Sequence, residues 1–330
     1  MSRPRIRPVV WSPPPAPPRA RQAHSEPPMP APHLLPVDGA GPEDVAVHPD
    51  GTLYTGLEDG RILALPSSGP PQVVAETGGR PLGIEIAADG TLLVCDAYRG
   101  LLHVDPASRK MATLVPAGDA LTVCNNAAIA ADGTVYFSDS TRRFPLAYWR
   151  GDLMEHSGTG RLLRRTPDGA VDVLLDGLQF ANGVALAADE SFVVVAETGA
   201  YRLTRLWLTG ARAGQRDTLV DNLPGFPDNL STGSDGRIWI AIGSPRNRVL
   251  DWAHARTPLI RRTVWALPER LQPQPVRTAW AMAVDDSGRV VADLQGAGDK
   301  YHLVTGVREH GGRLYLGSLV EGSIAVVDLM

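Results

Sequence analysis

The chain has 330 residues, 43% of them hydrophobic, and a formal net charge of -4. Such a chain can bury a large core, and its slightly acidic balance lacks the basic footprint of a nucleic-acid-binding protein. The 34 glycines and 29 prolines are typical of many short strands joined by tight turns.

Residues 1–35 form a segment rich in proline and arginine. It contains no apolar run long enough for a signal-peptide core or a membrane helix, so we expect a cytoplasmic protein without a membrane partner. The proline run at 13–18 predicts an extended polyproline segment. An arm draped over the domain is favoured over a recognition ligand, and the sequence does not identify a protein partner.

A turn followed by a strand recurs six times along residues 36–330. The first example is Asp50-Gly51-Thr52, and the turns begin at positions 50, 89, 132, 189, 235 and 311. Asp-Gly between apolar runs is a strong hairpin signal, and a spacing near 40 residues is the usual length of a four-stranded propeller blade. We therefore predict an all-β, six-bladed β-propeller over residues 36–330. Residues 33–37 could add an outer strand to the last blade and close the ring.

The two longest intervals between turns predict insertions at the mouth of the propeller. Ile260, Val264, Leu267 and Leu271 are spaced like one face of a helix, which predicts a small helical cap at about 246–275 that packs against a blade. The other insertion brings aromatic and cationic groups near the mouth.

The two cysteines are Cys95 and Cys124. They are too few for a disulfide-rich scaffold or a multi-cysteine zinc site. Two buried thiols in a reducing compartment are favoured over a bridge between them.

One position of the repeat holds the candidate metal-binding residues. Counting back seven residues from each turn gives Glu43, Leu82, Asn125, Asn182, Asp228 and Val304. In a radial repeat, equivalent positions lie at equal distances from the axis, so these side chains should converge at one end of the central channel. The two carboxylates and two amides suit Ca²⁺, and Mg²⁺ or another divalent ion less well. The adjacent Asn229 could supply a fifth oxygen. The alternative, that these residues merely form turns, explains poorly why four share one register.

The next repeat position holds Asp44 and Asn126, among others. These two side chains would either orient the metal ligands, hold a second ion deeper in the channel, or make structural hydrogen bonds.

The chain resembles the strictosidine-synthase-like propellers and, more distantly, the paraoxonases and the gluconolactonase/senescence-marker group. The matching segments lie at 41–47, 79–83, 180–184, 225–229, 267–270 and 307–319. In paraoxonase-like enzymes the residues that match Glu43, Asn125, Asn182, Asp228 and Asn229 bind the catalytic calcium. The resemblance therefore implies the same ligand set that the repeat register gives.

Two positions depart from the relatives' catalytic patterns. Thr305 stands where the plant condensing enzyme has a glutamate, and Leu82 where paraoxonases have a histidine. His302, near the same rim, and Asp44 are the candidate general bases. The expected substrate-pocket residues, chosen for their place near the mouth, are Leu82, Arg142, Tyr148, Trp149 and Thr305.

The favoured function is calcium-dependent hydrolysis of a small-molecule ester or lactone, with the ion acting as a Lewis acid on a carbonyl oxygen. One alternative is a non-catalytic propeller that calcium stiffens and that binds a partner. The other is a condensing enzyme of secondary metabolism with a different base.

Overall fold

The computed structural model describes residues 3–329, which fold into six four-stranded antiparallel sheets arranged as the blades of one propeller. The predicted six-bladed β-propeller is confirmed. The longest α-helix has nine residues, and no helix within residues 3–329 is long and apolar enough to cross a bilayer.

The 24 strands are numbered in chain order. Blade 1 contains β2 Val45–Val47, β3 Leu53–Gly56, β4 Arg61–Leu65 and β5 Gln72–Glu76. Blade 2 contains β6 Pro81–Ile86, β7 Leu92–Asp96, β8 Gly100–Asp105 and β9 Lys110–Pro116. Blade 3 contains β10 Cys124–Ile129, β11 Val135–Asp139, β12 Gly160–Arg165 and β13 Val171–Leu178. Blade 4 contains β14 Ala181–Leu186, β15 Phe192–Glu197, β16 Arg202–Trp207 and β17 Arg216–Val220. Blade 5 contains β18 Gly225–Thr232, β19 Ile238–Pro245, β20 Ala279–Val284 and β21 Val290–Gly296. Blade 6 contains β22 Val304–His310, β23 Arg313–Ser318, β24 Ser323–Asp328 and β1 His33–Pro36.

Each predicted turn joins the first and second strands of a blade. In blade 1 the backbone N–H of Thr52 donates to Asp50 Oδ1 at 2.8 Å, and Gly51 has φ +86°. Glycine adopts this left-handed conformation without steric cost. In blade 4 Glu190 takes the equivalent conformation at φ +56°. Its carboxylate accepts the N–H of Ala131 from blade 3 at 2.7 Å, which links the two neighbouring blades.

The ring closes through the N-terminal strand. β1 pairs antiparallel with β24, with His33 opposite Val326 and Pro36 opposite Ser323. The last blade is thus built from both ends of the described chain, as predicted. This pairing supplies the fourth, outermost strand of blade 6.

The core lies between neighbouring blades, where the faces of two sheets pack together. Val194 in blade 4 and Ile240 and Trp280 in blade 5 belong to one such cluster, and each is fully buried. A strand that is buried on both faces has a nearly continuous apolar sequence, and β15 is an example. Cys95 and Cys124 are buried between blades 2 and 3 without a disulfide.

Three α-helices and five short 3-10 helices complete the fold. The α-helices are α1 Trp149–Glu155, α2 Arg248–His254 and α3 Pro258–Ala266. The 3-10 helices are Pro18–Arg21, Leu146–Tyr148, Thr198–Ala200, Gly210–Arg212 and Glu269–Leu271. We call residues 246–277, which contain α2 and α3, the cap. Asn247 begins α2 by accepting the N–H groups of Val249 and Leu250 at 3.0 Å.

The predicted apolar stripe of the cap is wrong in its details. α3 ends at Ala266, and its buried side chains are Arg261 and Trp265. Leu267 and Leu271 lie beyond the helix and are 37% and 61% exposed. The physical reason is Pro268, because the residue before a proline is pushed into extended conformation and the helical periodicity stops there.

Residues 1–35, which we call the arm, lie along the cap in their described part. Trp265 Nε1 donates to the carbonyl oxygen of Pro4 at 2.7 Å, and Trp11 N–H donates to that of His254 at 3.0 Å. Further along, the Arg19 guanidinium binds both carboxylate oxygens of Asp293 at 2.6 and 2.9 Å. The arm therefore contacts both the cap and the propeller.

Candidate metal centre and pocket

The predicted ring residues lie at or just before the starts of the innermost strands. Asn125, Asn182 and Asp228 are in β10, β14 and β18, and Glu43 precedes β2 by two residues. Glu43, Asn125 and Asn182 are no more than 4% exposed, and Asp228 is partly exposed to a pocket.

Four of the five predicted ligands carry a buried oxygen without a hydrogen-bond partner among residues 3–329. These atoms are Glu43 Oε2, Asn125 Oδ1, Asn182 Oδ1 and Asn229 Oδ1. Buried polar atoms in folded proteins are nearly always hydrogen-bonded, so each exception requires an explanation. Of the sixteen such side-chain atoms in the described chain, these four are oxygens of one predicted ligand set.

Two hydroxyl groups orient the amides of this ring. Asn125 Nδ2 donates to Ser140 Oγ at 2.9 Å, and Asn182 Nδ2 donates to Thr198 Oγ1 at 3.1 Å. Since an amide nitrogen can only donate, this arrangement leaves both Oδ1 atoms as the free acceptors.

Blade 2 lacks both members of this pair. Leu82 replaces the amide, and Ala97, which follows the end of β7, replaces the hydroxyl residue. The two pack in an apolar cluster with Val123. The amide and its hydroxyl are thus present together in blades 3 and 4 and absent together in blade 2, as expected if the hydroxyl serves the amide.

A second repeat register, which our sequence analysis missed, fixes the segments that precede the ring residues. Asp139, at the end of β11, accepts the N–H groups of Thr122 and Val123 at 3.1 and 2.8 Å. Glu197, at the end of β15, accepts the N–H of Gln179 at 2.9 Å.

Asp96, at the end of β7, accepts the N–H of Arg80 at 3.0 Å in the same way. These three carboxylates lie seven or eight residues after their turns. That second regular spacing is the signal that could have revealed them.

The pKa shifts of Glu43 and Asp228 identify the charged and amide groups that act on each carboxylate. Burial, and next the charge of Asp228, raise the pKa of Glu43 well above its ordinary value, whereas Arg80 and the amide of Asn229 lower it. Burial raises the pKa of Asp228, and the amide of Asn182 opposes this. Residues from blades 1, 4 and 5 therefore interact at the channel mouth.

Within residues 3–329 no group of three or more His, Cys, Asp and Glu side chains is arranged to hold a metal ion. A cation at this ring would therefore depend on the amide oxygens as well as the two carboxylates. Amide and carboxylate oxygens are ligands that Ca²⁺ accepts.

Asp44 and Asn126, at the next repeat position, use all of their side-chain oxygen and nitrogen atoms in hydrogen bonds. Asp44 accepts the N–H groups of Val45 and Ile84 at 2.9 and 3.2 Å and the Asn126 amide at 3.3 Å. Asn126 Oδ1 accepts the N–H of Val184 at 2.7 Å. Burial raises the pKa of Asp44 to about 7. Asp44 thus joins blades, and the structure does not bring it to the pocket as a base.

An apolar pocket lies between the cap and the ring. It has a volume of about 110 Å³, and Asp228 is the ring residue that lines it. Its apolar side chains come from α1, α2 and the blades: Trp149, Leu153, Met154, Phe226, Leu250 and Leu303. Of the five predicted pocket residues, Trp149 alone lines this cavity.

The other four predicted pocket residues lie elsewhere. Leu82 is buried in its own cluster, Arg142 is exposed, and the Tyr148 ring packs edge-on to Trp265 at 6.5 Å. Thr305 Oγ1 donates to the carbonyl oxygen of Glu43 at 2.9 Å. Thr305 therefore supports the backbone of a ring residue.

His302 is paired with a carboxylate at the rim. Its Nδ1 hydrogen-bonds Glu321, whose carboxylate also accepts the His302 backbone N–H at 3.2 Å. The following residue, Leu303, adopts φ +51° and lines the pocket, but the His302 side chain does not.

A buried histidine pair, also missed from the sequence, lies where the arm meets the cap. The rings of His156 and His254 are 5.1 Å apart, and the Trp11 ring stacks on His156 at 4.0 Å. Burial, and next the charges of Arg261 and Arg202, lower the pKa of His156 to about 3. Burial lowers the pKa of His254 to about 2, helped by His156 and Arg261. Both imidazoles are therefore neutral near pH 7.

The fold and the ring define a six-bladed propeller with oxygen-rich side chains at its axial mouth. The strictosidine synthase family model matches residues 120–211, and the model of the strictosidine synthase-like N-terminal region matches residues 31–65. The rat adipocyte plasma membrane-associated protein is 36% identical over 305 residues, which cover 84% of this chain and 80% of that protein. Strictosidine synthase-like protein 6 of Arabidopsis thaliana is 33% identical over 300 residues, covering 88% and 79%. The chain belongs to the strictosidine synthase-like family.

Solved structures with the same fold include two with informative descriptions. A gluconolactonase from Xanthomonas campestris has a TM-score of 0.65 at 19% identity, covering 99% of each chain. Regucalcin from Agrobacterium tumefaciens, described as a calcium-binding protein, has a TM-score of 0.63 at 16% identity, covering 92% of this chain and 94% of that one. At these identities the likeness establishes the fold alone.

Proposed function

We propose that this protein is a calcium-dependent hydrolase of esters or lactones that carry an apolar group. The observation that supports it most directly is the set of four buried, unpartnered oxygens on Glu43, Asn125, Asn182 and Asn229. Their donors are carboxylate and amide oxygens, which suit a hard divalent cation. Asp228, which raises the pKa of Glu43, completes the set.

The ring residues fit such an ion on chemical grounds. Burial raises the pKa of both carboxylates, and the charge of Asp228 raises that of Glu43 further, so a cation that neutralises them would make their ionised forms favourable. When bound, the ion would supply Lewis-acid stabilisation of a carbonyl oxygen that gains negative charge during hydrolysis.

The pocket residues would bind and orient the substrate. The apolar side chains of Leu153, Met154 and Phe226 hold an apolar acyl or ring substituent and exclude bulk water from its contacts. Asp228 lies at the same cavity, so the substrate's polar end would be directed towards the ring. The cavity's small volume favours a small substrate.

His302 is the candidate for moving a proton. With Nδ1 donating to Glu321, its Nε2 is the free acceptor that could receive a proton from an attacking water molecule. Glu321 would act as a positioning residue, because it fixes the tautomer and the orientation of the ring.

The functions named for several proteins of the same fold are consistent with the proposal. One neighbour is described as a gluconolactonase and another as a luciferin-regenerating enzyme, and regucalcin as calcium-binding.

One observation favours the non-catalytic alternative. The side chains that line the pocket include Asp228 and Arg150 as their ionisable groups and no histidine. A pocket without a general base would suit a propeller that binds calcium and a ligand but does not turn the ligand over.

The two functions are separated by assaying a panel of aryl esters and lactones with calcium and with a chelator. The informative variant is Asn182→Leu/Thr198→Ala, which copies the Leu82 and Ala97 pair that blade 2 already accommodates. Hydrolysis that requires calcium and falls at least 100-fold in this variant supports the enzyme, since a lost electrostatic stabiliser costs about 10²–10³ in rate. The single variant Thr198→Ala keeps the Asn182 amide and loses only its orienting hydroxyl, so it should retain more activity than the double variant. Background rates throughout, with a melting temperature that calcium raises, would support the scaffold instead.

A further inference from the structure

Positive charge is concentrated on the arm and the cap. The arm contains five arginines and one acidic residue, and the cap contains seven arginines and two acidic residues. Their formal charges are therefore +4 and +5. Because the whole chain carries -4, the remaining residues carry -13. These two segments are formally basic, and the rest of the chain is formally acidic.

An open groove between the arm and α3 collects part of this charge. Its lining includes the five arginines Arg3, Arg5, Arg7, Arg143 and Arg262, and no carboxylate. Arg5, Arg7 and Arg262 are exposed, and their guanidinium groups make no ion pair within the described chain. Arg143 binds Glu155, whose own side chain is 1% exposed. The groove therefore presents unneutralised guanidinium groups, which bind phosphate and carboxylate oxygens well.

Exposed hydrophobic side chains lie on the same two segments. Fourteen large hydrophobic residues of the described chain are exposed, and the eight on the arm or cap are Val9, Val10, Val249, Trp252, Leu259, Leu267, Leu271 and Val276. On α2, Val249 and Trp252 are three residues apart and share one face of the helix, with Arg256 over the Trp252 ring at 5.7 Å.

We propose that the arm and cap form a surface that docks on an anionic lipid bilayer. Exposed apolar residues interspersed with arginines are the composition of interfacial membrane-binding elements, and tryptophan favours the bilayer–water interface. A nucleic acid bound at this surface would neutralise the arginines but would leave the exposed aliphatic side chains in water. This surface departs from the sequence-based expectation of no membrane partner and is independent of the proposed hydrolase activity.

Docking would place the pocket beneath the membrane-facing side of the cap. Asn247 and Leu250 of α2 line the pocket, whereas Val249 and Trp252 of the same helix face solvent. The same short helix thus separates the apolar cavity from the proposed lipid surface.

The charge contribution is tested by sedimentation with phosphatidylcholine vesicles, with and without phosphatidylserine. We expect binding only with phosphatidylserine, and a roughly 30-fold lower partition coefficient for Arg5→Ala/Arg262→Ala, because each surface arginine contributes about 1 kcal/mol near an anionic membrane. The matched control is Lys110→Ala/Arg216→Ala, which removes two exposed positive charges from the outer strands of blades 2 and 4. Unchanged melting temperatures would show that both variants are folded.

The contact itself is tested through Trp252. Its fluorescence should shift to shorter wavelength on phosphatidylserine vesicles, and Trp252→Phe should bind equally well but lack that part of the shift. The proposal is overturned if the wild-type protein does not sediment with phosphatidylserine vesicles, or if the control and groove variants lose binding equally. Binding of a soluble inositol phosphate without vesicle binding would also overturn it, since the groove would then be a small-anion site.

Discussion

Two tiers of polar side chains occupy consecutive positions in the channel, and they differ in hydrogen bonding. In the mouth tier, Asn125 and Asn182 each keep a buried oxygen without a partner. In the deeper tier, the Asn126 side chain bonds Asp44 and the Val184 N–H, so both of its polar atoms are used. Similar residue types one position apart therefore have different roles. The hydrogen-bonded pair of Asp44 and Asn126 joins the blades, whereas the unpartnered oxygens, including that of Asn229 at the deeper position, are available for a ligand.

The largest effect should come from removing the deeper amide. We expect Asn126→Ala to lower the free energy of unfolding by about 3–5 kcal/mol, because it leaves the Val184 N–H and one Asp44 oxygen without this partner in a buried site. Denaturant unfolding in the presence of a chelator measures the change.

The matched control is the neighbouring residue. Asn125→Ala loses one hydrogen bond, to Ser140, and should cost only about 1 kcal/mol in the chelator. Equal losses in the two variants would contradict the distinction between the tiers.

A smaller effect should follow from removing charge at the mouth. Glu43→Gln removes a buried carboxylate whose pKa is raised, so the calcium-free protein should be as stable as the wild type or more so. Calcium at 100 times the dissociation constant should stabilise the wild type by about 2.7 kcal/mol, and this gain should disappear in the variant.

Thermal unfolding with calcium and with a chelator tests this prediction. Glu76→Gln, at an exposed position in blade 1, is the control and should keep the full gain. A calcium-induced stabilisation that survives in Glu43→Gln would mean that the ion binds elsewhere.

The smallest effect concerns the buried histidine pair at the arm. The pKa values of His156 and His254 lie far below the ordinary 6.5, so the unfolded chain binds protons that the folded chain rejects. Stability should be complete above pH 6.5 and should fall below it, by up to about 1.4 kcal/mol per pH unit for each histidine. The charged groups that act on the pair are Arg261 and Arg202.

Hydrogen exchange of the arm and denaturant unfolding between pH 7 and pH 6 would measure this loss. His156→Asn keeps a residue that tolerates the observed φ of +55° and removes one titrating group, so the slope should be halved. His33→Gln, at an exposed site, should leave the slope unchanged, and a slope that both variants preserve would exclude the pair as its origin.

Much of the fold and of the candidate ring could be predicted from the sequence because both are repetitive. Asp-Gly turns near 40-residue spacing define the blades, and a fixed offset from each turn defines the ring position. The deeper role of Asp44 could not be predicted, because its partners Ile84 and Asn126 come from blades 2 and 3.

The cap and the pocket lie in the insertions, where no repeat helps. The stripe through Leu267 and Leu271 was misassigned because Leu267-Pro268 ends the helical period. Leu82 and Tyr148 are aliphatic and aromatic, like the side chains that line the pocket, but they pack into separate apolar clusters. A sequence position near the mouth does not define which way a side chain faces.

The sequence by itself determined the number of blades, the closing strand and which residues share a radial position, because these follow from local turn chemistry and periodicity. Only the tertiary structure decided which of those residues have partners, which side chains enclose the pocket, and that the arm meets the cap over buried histidines. These features depend on contacts between segments far apart in the chain, and such contacts are set by packing and leave no regular spacing in the sequence.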